Sequence, residues 1–490
     1  MKAWPRLPRL PSLQGKGWGW VRASARPKDS IDLAAEGAGR GIEPRPAPTH
    51  PLPLPCREGS SRSRFALFAE FLLALAVVAS VVSTAIAFHA TGYLPQPFVF
   101  DTNDTFMDWF NTAFWANRPG AYDVWRSIYP PLSFVFLDLF SLPGCYLQSP
   151  FHARDCDWLG TATILGFYLL DGLLVWLSFR RADPRTAPMR TIAFGLGLPL
   201  LFTLERGNLI LVAFACFVIA HGPLVTRGPW RWLAEAATIN FKPYLLLPVL
   251  AHAVKREWRT LELAGIATIF LYLVTLAIVG AGTPVELVAN TANWVVFQSG
   301  QVWNEIHYST SYAPLLLVRG SQIPILQFVP SRTVETIEFL VPIVIRASQA
   351  IALLALAGAW LQPRALPLHR VSIILLAAYL VTQSPGGYTQ TFLLFLVLLE
   401  PWKGVGPIVA IVCAYLQCLV TDWPLSTVLE LSTNSWLSGQ PVTPSFGLAV
   451  GHFVRPGLVA LILWALALDS IVRVIRAHRT HRPSLGLLPA

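Results

Sequence analysis

The chain has 490 residues, of which 54% are hydrophobic and only 13% charged, about half the charged share of an average soluble domain. Several apolar stretches reach the roughly 20 residues needed to cross about 30 Å of hydrocarbon, which excludes a soluble globular enzyme. The formal charge of +10 is no nucleic-acid footprint: residues 1–64 alone hold 12 Lys or Arg against 5 Asp or Glu, leaving +3 for the rest of the chain.

Residues 1–64 mix Pro, Arg, Gly, Ser and Ala with little apolar periodicity. Such a composition cannot bury enough surface to order itself. It reads either as a disordered basic cytoplasmic tail or as an over-extended translation start. No apolar core of a cleavable signal peptide lies within its first 30 residues.

The first long apolar run covers residues 65–88, and the loop of residues 89–157 after it contains DTNDTFMDWFN, with Asp101, Asp104 and Asp108, and then YPP at Tyr129–Pro131. A membrane protein seldom concentrates carboxylates at a bilayer surface without using them. Pro130 and Pro131 suit the first turn of a helix, predicting that residues 131–143 lie along the interface with Tyr129 at headgroup depth. Cys145 and Cys156 flank a short polar segment and can pair if it lies outside the membrane. Cys216, Cys413 and Cys418 sit in apolar runs as small buried hydrophobes.

Further candidate spans are residues 158–179, 190–204, 207–221, 261–281, 339–361, 371–383, 389–400, 404–421 and 453–472, which makes ten with the first. Basic clusters at Arg62–Arg64, Arg180–Arg190, Arg227–Arg231, Lys255–Arg259, Arg364–Arg370 and Arg473–Arg482 belong on the cytoplasmic side. All six fall there only if residues 131–143 do not span and residues 233–253 enter and leave by one face. The expected architecture is therefore an all-α integral membrane bundle of ten helices, twelve being the alternative, followed by a tail at residues 476–490. The polar turns ERGN at 205–208 and QSPGGYTQ at 383–390, with NEIHYSTSY at 304–312 and residues 422–452, then gather on the outer side with the acid loop. Helix breaks of this kind persist where backbone is buried in protein or faces water, so the outer half of the bundle is expected to hold a cavity.

Taken in order, the acid loop with Asp104, Gly120 and Tyr122, YPP, ERGN before an apolar run, FKPYLLLPVL followed by KREWR, and the late SPGGY resemble the polyprenol-phosphate-dependent glycosyltransferases of family 87, in the GT-C superfamily. The likeness covers about residues 65–400. FMDWFN and ERGN depart from the commoner form of the pattern. The resemblance implies a GT-C-like helical bundle in the cell membrane, with a large first extracytoplasmic loop that carries the catalytic aspartate. It further implies transfer of a hexose, often mannose, from a polyprenyl phosphate to a lipid or glycan acceptor, and it aligns Asp104 with the family aspartate.

A polyprenyl phosphate is already a fair leaving group, so inverting displacement at the anomeric carbon needs a single base to take the acceptor proton. A glycoside hydrolase commonly uses two carboxylates. Asp104 is the expected base; Asp101 is its close neighbour, and Asp108 lies one helical turn on. Each of these acids has an ordinary alternative as a solvated loop residue or a helix cap.

Arg206 and Asn208 in ERGN can meet the donor phosphate, the guanidinium by a two-pronged hydrogen bond. Lys242 lies roughly 15 Å from the inner face, where an ammonium needs a partner or a water-filled cavity. Asp171 and Arg346, also inside apolar runs, are expected to be paired within the bundle. His307 in the later outer loop and Tyr129 complete the candidate donor-binding set. No His or Asp cluster has metal-ligand spacing, and no cofactor or nucleic-acid partner is expected. A transporter or flippase would favour internal repeats, and none is evident. An O-antigen polymerase or ligase would place an Arg-rich outer loop later in the chain.

Overall fold

The computed structural model describes residues 60–98, 101–226, 228–298, 308–320, 330–383, 385–430 and 432–480. The expected tail of residues 1–64 falls almost wholly outside these residues, as do His307 and most of the tail at 476–490.

Among the described residues six helices are long and apolar enough to cross a membrane: Arg64–Thr91, Trp158–Ala182, Ala187–Arg206, Trp258–Val279, Ser331–Leu361 and Gly451–Arg479. They coincide with six of the ten expected spans. The other four match shorter apolar helices, Ile210–His221, Leu368–Thr382, Gly387–Val397 and Val405–Gln417. Large apolar side chains such as Phe65, Phe68, Ile266, Ile269, Phe270 and Leu273 point outward from the bundle, the surface a lipid-embedded helix presents. The chain is a helical membrane protein.

Numbered in chain order, α1 is Ser60–Thr91, α2 Met107–Ala116, α3 Pro131–Leu139, α4 Pro150–Cys156 and α5 Trp158–Ala182. Next come α6 Ala187–Gly195, α7 Leu198–Arg206, α8 Ile210–His221, α9 Pro229–Phe241, α10 Leu246–Val254 and α11 Trp258–Val279. Helix α3, with Pro131 at its first turn, has nine residues, shorter than a membrane crossing requires. Cys145 and Cys156 form a disulfide. Helices α6 and α7 break at Gly197, where a Cβ would lie 2.5 Å from the Ala193 carbonyl and 2.9 Å from Cys418.

The stretch 229–257 folds back on itself. Glu235 midway along α9 and His252 near the end of α10 meet at 3.2 Å, and His252 also bonds Glu257 at 2.8 Å. A straight helix would hold residues 235 and 252 about 25 Å apart. Lys242, with an extended backbone before Pro243, sits at the tip of this hairpin. The expectation that residues 233–253 enter and leave by one face matches this shape.

Ion pairs tie the basic loops together at one end of the bundle. Arg231 lies 3.5 Å from Glu235, the Lys255 ammonium donates to the Pro363 and Leu366 carbonyls, and Arg370 pairs with Glu400 and, at 2.7 Å, with Asp469. Arg190 reaches both Glu70, at 3.0 Å, and the Glu400 carbonyl, at 3.1 Å. Buried charges so arranged are satisfied by partners that fix helix packing.

The fold is mostly helical, in keeping with the expected all-α class, and holds little sheet: residues 424–449 carry β1 (Pro424–Glu430) antiparallel to β4 (Ser445–Ala449), enclosing the shorter pair β2 (Thr433–Asn434) and β3 (Pro441–Val442). Bulges interrupt the β1–β4 pairing, which blurs the strand alternation. This β element closes over the acid loop. Thr102 Oγ1 donates to the Asn434 carbonyl at 2.9 Å, the Trp436 amide to the Thr102 carbonyl at 3.2 Å, and Ser438 Oγ to the Gly92 carbonyl at 2.7 Å. One expectation fails: among the described residues Asp171 and Arg346 are not paired. Asp171 is fully buried with neither carboxylate oxygen bonded, and Arg346 is exposed with no ion pair among the described residues. Depth gives the cost of a charge, but the helix face that carries it decides whether a partner is there.

Candidate functional site

Three separate stretches meet at the end of the bundle opposite the basic loops: the acid loop, the α7–α8 turn and the tip of the α9–α10 hairpin. The α7–α8 turn needs Gly207. Its φ of 60° suits glycine, and a Cβ there would stand 3.0 Å from the Phe106 Cα. Phe106 donates its amide to the Glu205 carbonyl at 2.8 Å, so the acid loop is stitched directly onto ERGN. Phe106 itself adopts φ 65°, a left-handed conformation disfavoured for a bulky residue. Strain of this kind, held by surrounding structure, concentrates at functional sites. Here it separates Asp104 from Asp108 while turning both toward one cation.

That cation is Arg206. Its Nη1 pairs with Asp104 Oδ2, and its Nη2 donates to Asp108 Oδ1 at 2.7 Å. Asn208 Nδ2 donates to the second oxygen of Asp108 at 2.7 Å, while Asn208 Oδ1 accepts from the Ile210 amide at 3.0 Å at the start of α8. Asp108 therefore has both oxygens engaged, and Asp104 has one.

The two carboxyls diverge in acidity. Burial and the neighbouring Asp108 push Asp104 above the usual carboxylate value, with Arg206 only partly offsetting them. Burial acts upward on Asp108 too, but the Arg206 charge and the hydrogen bonds from Arg206 and Asn208 outweigh it and hold Asp108 low. One acid is a fixed counter-ion; the other is poised to take up a proton.

Lys242 enters from below. It is buried, its Nζ sits 4.4 Å from the centre of the Tyr129 ring, and among the described residues it has no ion pair or side-chain hydrogen bond. A cation over an aromatic face gains about 1–2 kcal/mol when desolvated, less than full pairing would give. Tyr129 is held in turn: Tyr122 Oη donates to the Tyr129 carbonyl at 2.8 Å. The hairpin tip also packs on α3, with Phe136 and Phe241 rings 5.5 Å apart.

Six of the eight residues singled out by sequence thus converge: Asp104, Asp108, Arg206, Asn208, Tyr129 and Lys242. Asp101 does not join them. It is exposed, and its Oδ1 accepts the Asn103 amide at 2.9 Å in an ordinary turn. The eighth, His307, lies outside the described residues.

Other residues at the site had no role assigned from sequence. Tyr388, in SPGGY, stacks on Phe202 at 6.0 Å and lies in the electrostatic reach of Asp108 and Arg206. Tyr244 approaches Thr389 Oγ1 at 3.3 Å and stacks on Tyr379 at 5.6 Å. Gly387 permits this wall, since a Cβ would overlap Tyr308 at 2.1 Å. The polar SPGGY break within apolar sequence was the available signal. Among the described residues no group of three or more His, Cys, Asp or Glu could hold a metal ion.

Compared with protein families, curated proteins and solved structures, the chain matches none.

Proposed function

We propose that the chain is a membrane glycosyltransferase that moves a hexose from a polyprenyl-phosphate donor to a hydroxyl acceptor on the extracytoplasmic face of the cell membrane. The motif resemblance supports this reading. The observation that carries it is the convergence of a carboxyl biased toward proton uptake, Asp104, with a buried ammonium, Lys242, that makes no ion pair among the described residues, around the Arg206–Asp108 pair. In this reading the basic end of the bundle faces the cytoplasm and the acid loop faces outward.

The reaction balances with these groups. The acceptor oxygen bonds to the anomeric carbon as its proton passes to Asp104. The bond from that carbon to the phosphate oxygen breaks, and the electron pair leaves with the polyprenyl phosphate. Displacement from the opposite face inverts the anomeric configuration. Lys242 meets the charge gathering on the phosphate, while Asp108 and Asn208 hold the Arg206 fork in place.

Membranes containing the full chain, given radiolabelled polyprenyl-phosphate mannose, should pass label to endogenous lipid or glycan. Membranes with Asp104→Asn should not. Equal labelling with and without the chain would refute glycosyl transfer of mannose.

A further inference from the structure

The geometry points to a binding site for one anionic phospholipid at the basic end of the bundle, its acyl chain in a groove between α5 and α9 and its phosphate at Arg181. This site stands apart from the residues around Asp104 and does not depend on glycosyl transfer. A cavity of about 420 Å³ lies between Leu174 of α5, Ile219 of α8, Leu224 and Val225 after it, and Trp230 and Leu233 of α9. That volume falls within the roughly 300–1,000 Å³ of small-ligand sites. Every lining side chain among the described residues is apolar. Trp230 and Leu233 are 72% and 47% exposed, so the cavity opens sideways off the bundle. Water does not settle in an apolar cavity; beside hydrocarbon, a lipid chain fills it.

Charge sets the class of that lipid. Leu170, Leu174, Leu177 and Arg181 follow one another on α5 at helical spacing, which places them along one face. Leu170 to Arg181 is a rise of about 16 Å. That is half of the roughly 30 Å of hydrocarbon, the depth of one leaflet. The stripe therefore has the length of one acyl chain and ends at a guanidinium. Arg181 Nη1 donates to the carbonyl of Leu224, a cavity residue, at 3.4 Å, so the cation stands at the rim. Arg180 and Arg181 are both exposed, and neither makes an ion pair among the described residues. The nearest acid in the chain does not neutralise them, for Asp183 Oδ1 accepts the Arg185 amide at 3.1 Å. Two guanidiniums at the head of an apolar groove suit a lipid phosphate, which they can bind by paired hydrogen bonds. A zwitterionic lipid brings its own cation beside that phosphate and gains less from them.

The test uses the detergent-solubilised full chain stripped of lipid, with dioleoyl phosphatidylglycerol or dioleoyl phosphatidylcholine added and native mass spectrometry to count bound lipids. Wild type should take up one phosphatidylglycerol at a concentration about fivefold or more below that needed for phosphatidylcholine, the worth of one arginine at an anionic lipid surface. Arg180→Gln with Arg181→Gln should cut that preference to within about twofold. Arg180→Lys with Arg181→Lys keeps the charge, so a preference retained there supports the site and controls for folding. Val225→Trp fills the groove and should weaken both lipids, while Arg364→Gln, at another exposed position of the basic end, should change neither. Equal uptake of the two lipids by wild type overturns the inference, as does a preference that survives the paired Gln substitutions or unaltered binding in Val225→Trp. A preference lost equally in Arg364→Gln makes it general surface charge and overturns the site. Tighter binding of a polyprenyl phosphate than of phosphatidylglycerol overturns the phospholipid as occupant.

Discussion

Asp104→Asn separates catalysis from architecture. The substitution keeps the size of the side chain and one hydrogen-bond acceptor for Arg206, but removes the site that takes the proton. The Asp104 and Arg206 side chains are 26% and 19% exposed, so their pair is partly solvated, and weakening it costs about 1 kcal/mol of stability. Loss of a general base costs roughly 10² to 10⁴ in turnover, about 3 to 5 kcal/mol of barrier. The kinetic effect therefore dominates, and the protein should still fold and bind donor. The pH profile supplies a second reading. A base works ionised, and burial raises the Asp104 carboxyl. Wild-type turnover should therefore climb with pH on an acidic limb displaced above the ordinary carboxylate range, and the limb should vanish in Asp104→Asn. The assay is transfer from radiolabelled polyprenyl-phosphate mannose over a pH series, with Asp101→Asn as a matched change of charge in an exposed turn. Near wild-type transfer by Asp104→Asn, or a dead Asp101→Asn beside an active Asp104→Asn, would refute the assignment.

Arg206→Lys keeps the charge but cannot bond Asp104 and Asp108 through one planar fork, so donor half-saturation should rise several-fold; an unchanged value in both Arg206→Lys and Arg206→Ala removes this residue from the donor site. Lys242→Met keeps the apolar stem and deletes the ammonium, and should lower kcat/KM for the donor by tenfold or more while the melting temperature holds or rises, since an incompletely paired buried charge is lost; a large fall in melting temperature with unchanged donor kinetics would make Lys242 structural. Single cysteines at Pro119 and Thr226 should label unequally with an impermeant maleimide on intact cells, Pro119 strongly and Thr226 weakly, and equal labelling would overturn the orientation proposed here.

The α9–α10 hairpin was legible because positive charge flanks it on both sides, at Arg227–Arg231 and Lys255–Arg259, and one-sided charge permits only an even number of crossings. Lys242 was legible through cost alone: an ammonium far along an apolar run requires a special environment. Its partner was not, since Tyr129 lies more than a hundred residues away and the contact depends on how deeply the acid loop dips. The choice of Asp104 over Asp101 and Asp108 came from the motif resemblance alone, and their placement was closed to sequence. It turns on the left-handed Phe106, which faces two of the three toward Arg206. The β element at 424–449 left little trace because its strands are short and bulged. The expected pairing of Asp171 failed because α5 is apolar all round, so the sequence carries no sign of which face looks toward a partner.

The charges at the site suggest how a reaction cycle would end. Asp104, Asp108 and Glu205 bring up to three negative charges, and Arg206 and Lys242 bring two positive ones. A polyprenyl-phosphate sugar is a phosphodiester and adds one more negative charge, so a loaded site with every carboxyl ionised is short of positive charge. Transfer leaves the total unchanged but moves it: Asp104 takes the acceptor proton and loses its charge, at the same moment that the phosphate becomes a monoester carrying about −1.5 to −2 at neutral pH. Lys242 then faces more charge than it faced in the donor, while the protonated Asp104 no longer competes for Arg206. Departure of the polyprenyl phosphate restores the Arg206 pair and lets Asp104 return its proton to water. By this reasoning, the fixed Asp108–Arg206–Asn208 arrangement is what keeps the guanidinium from leaving with the product.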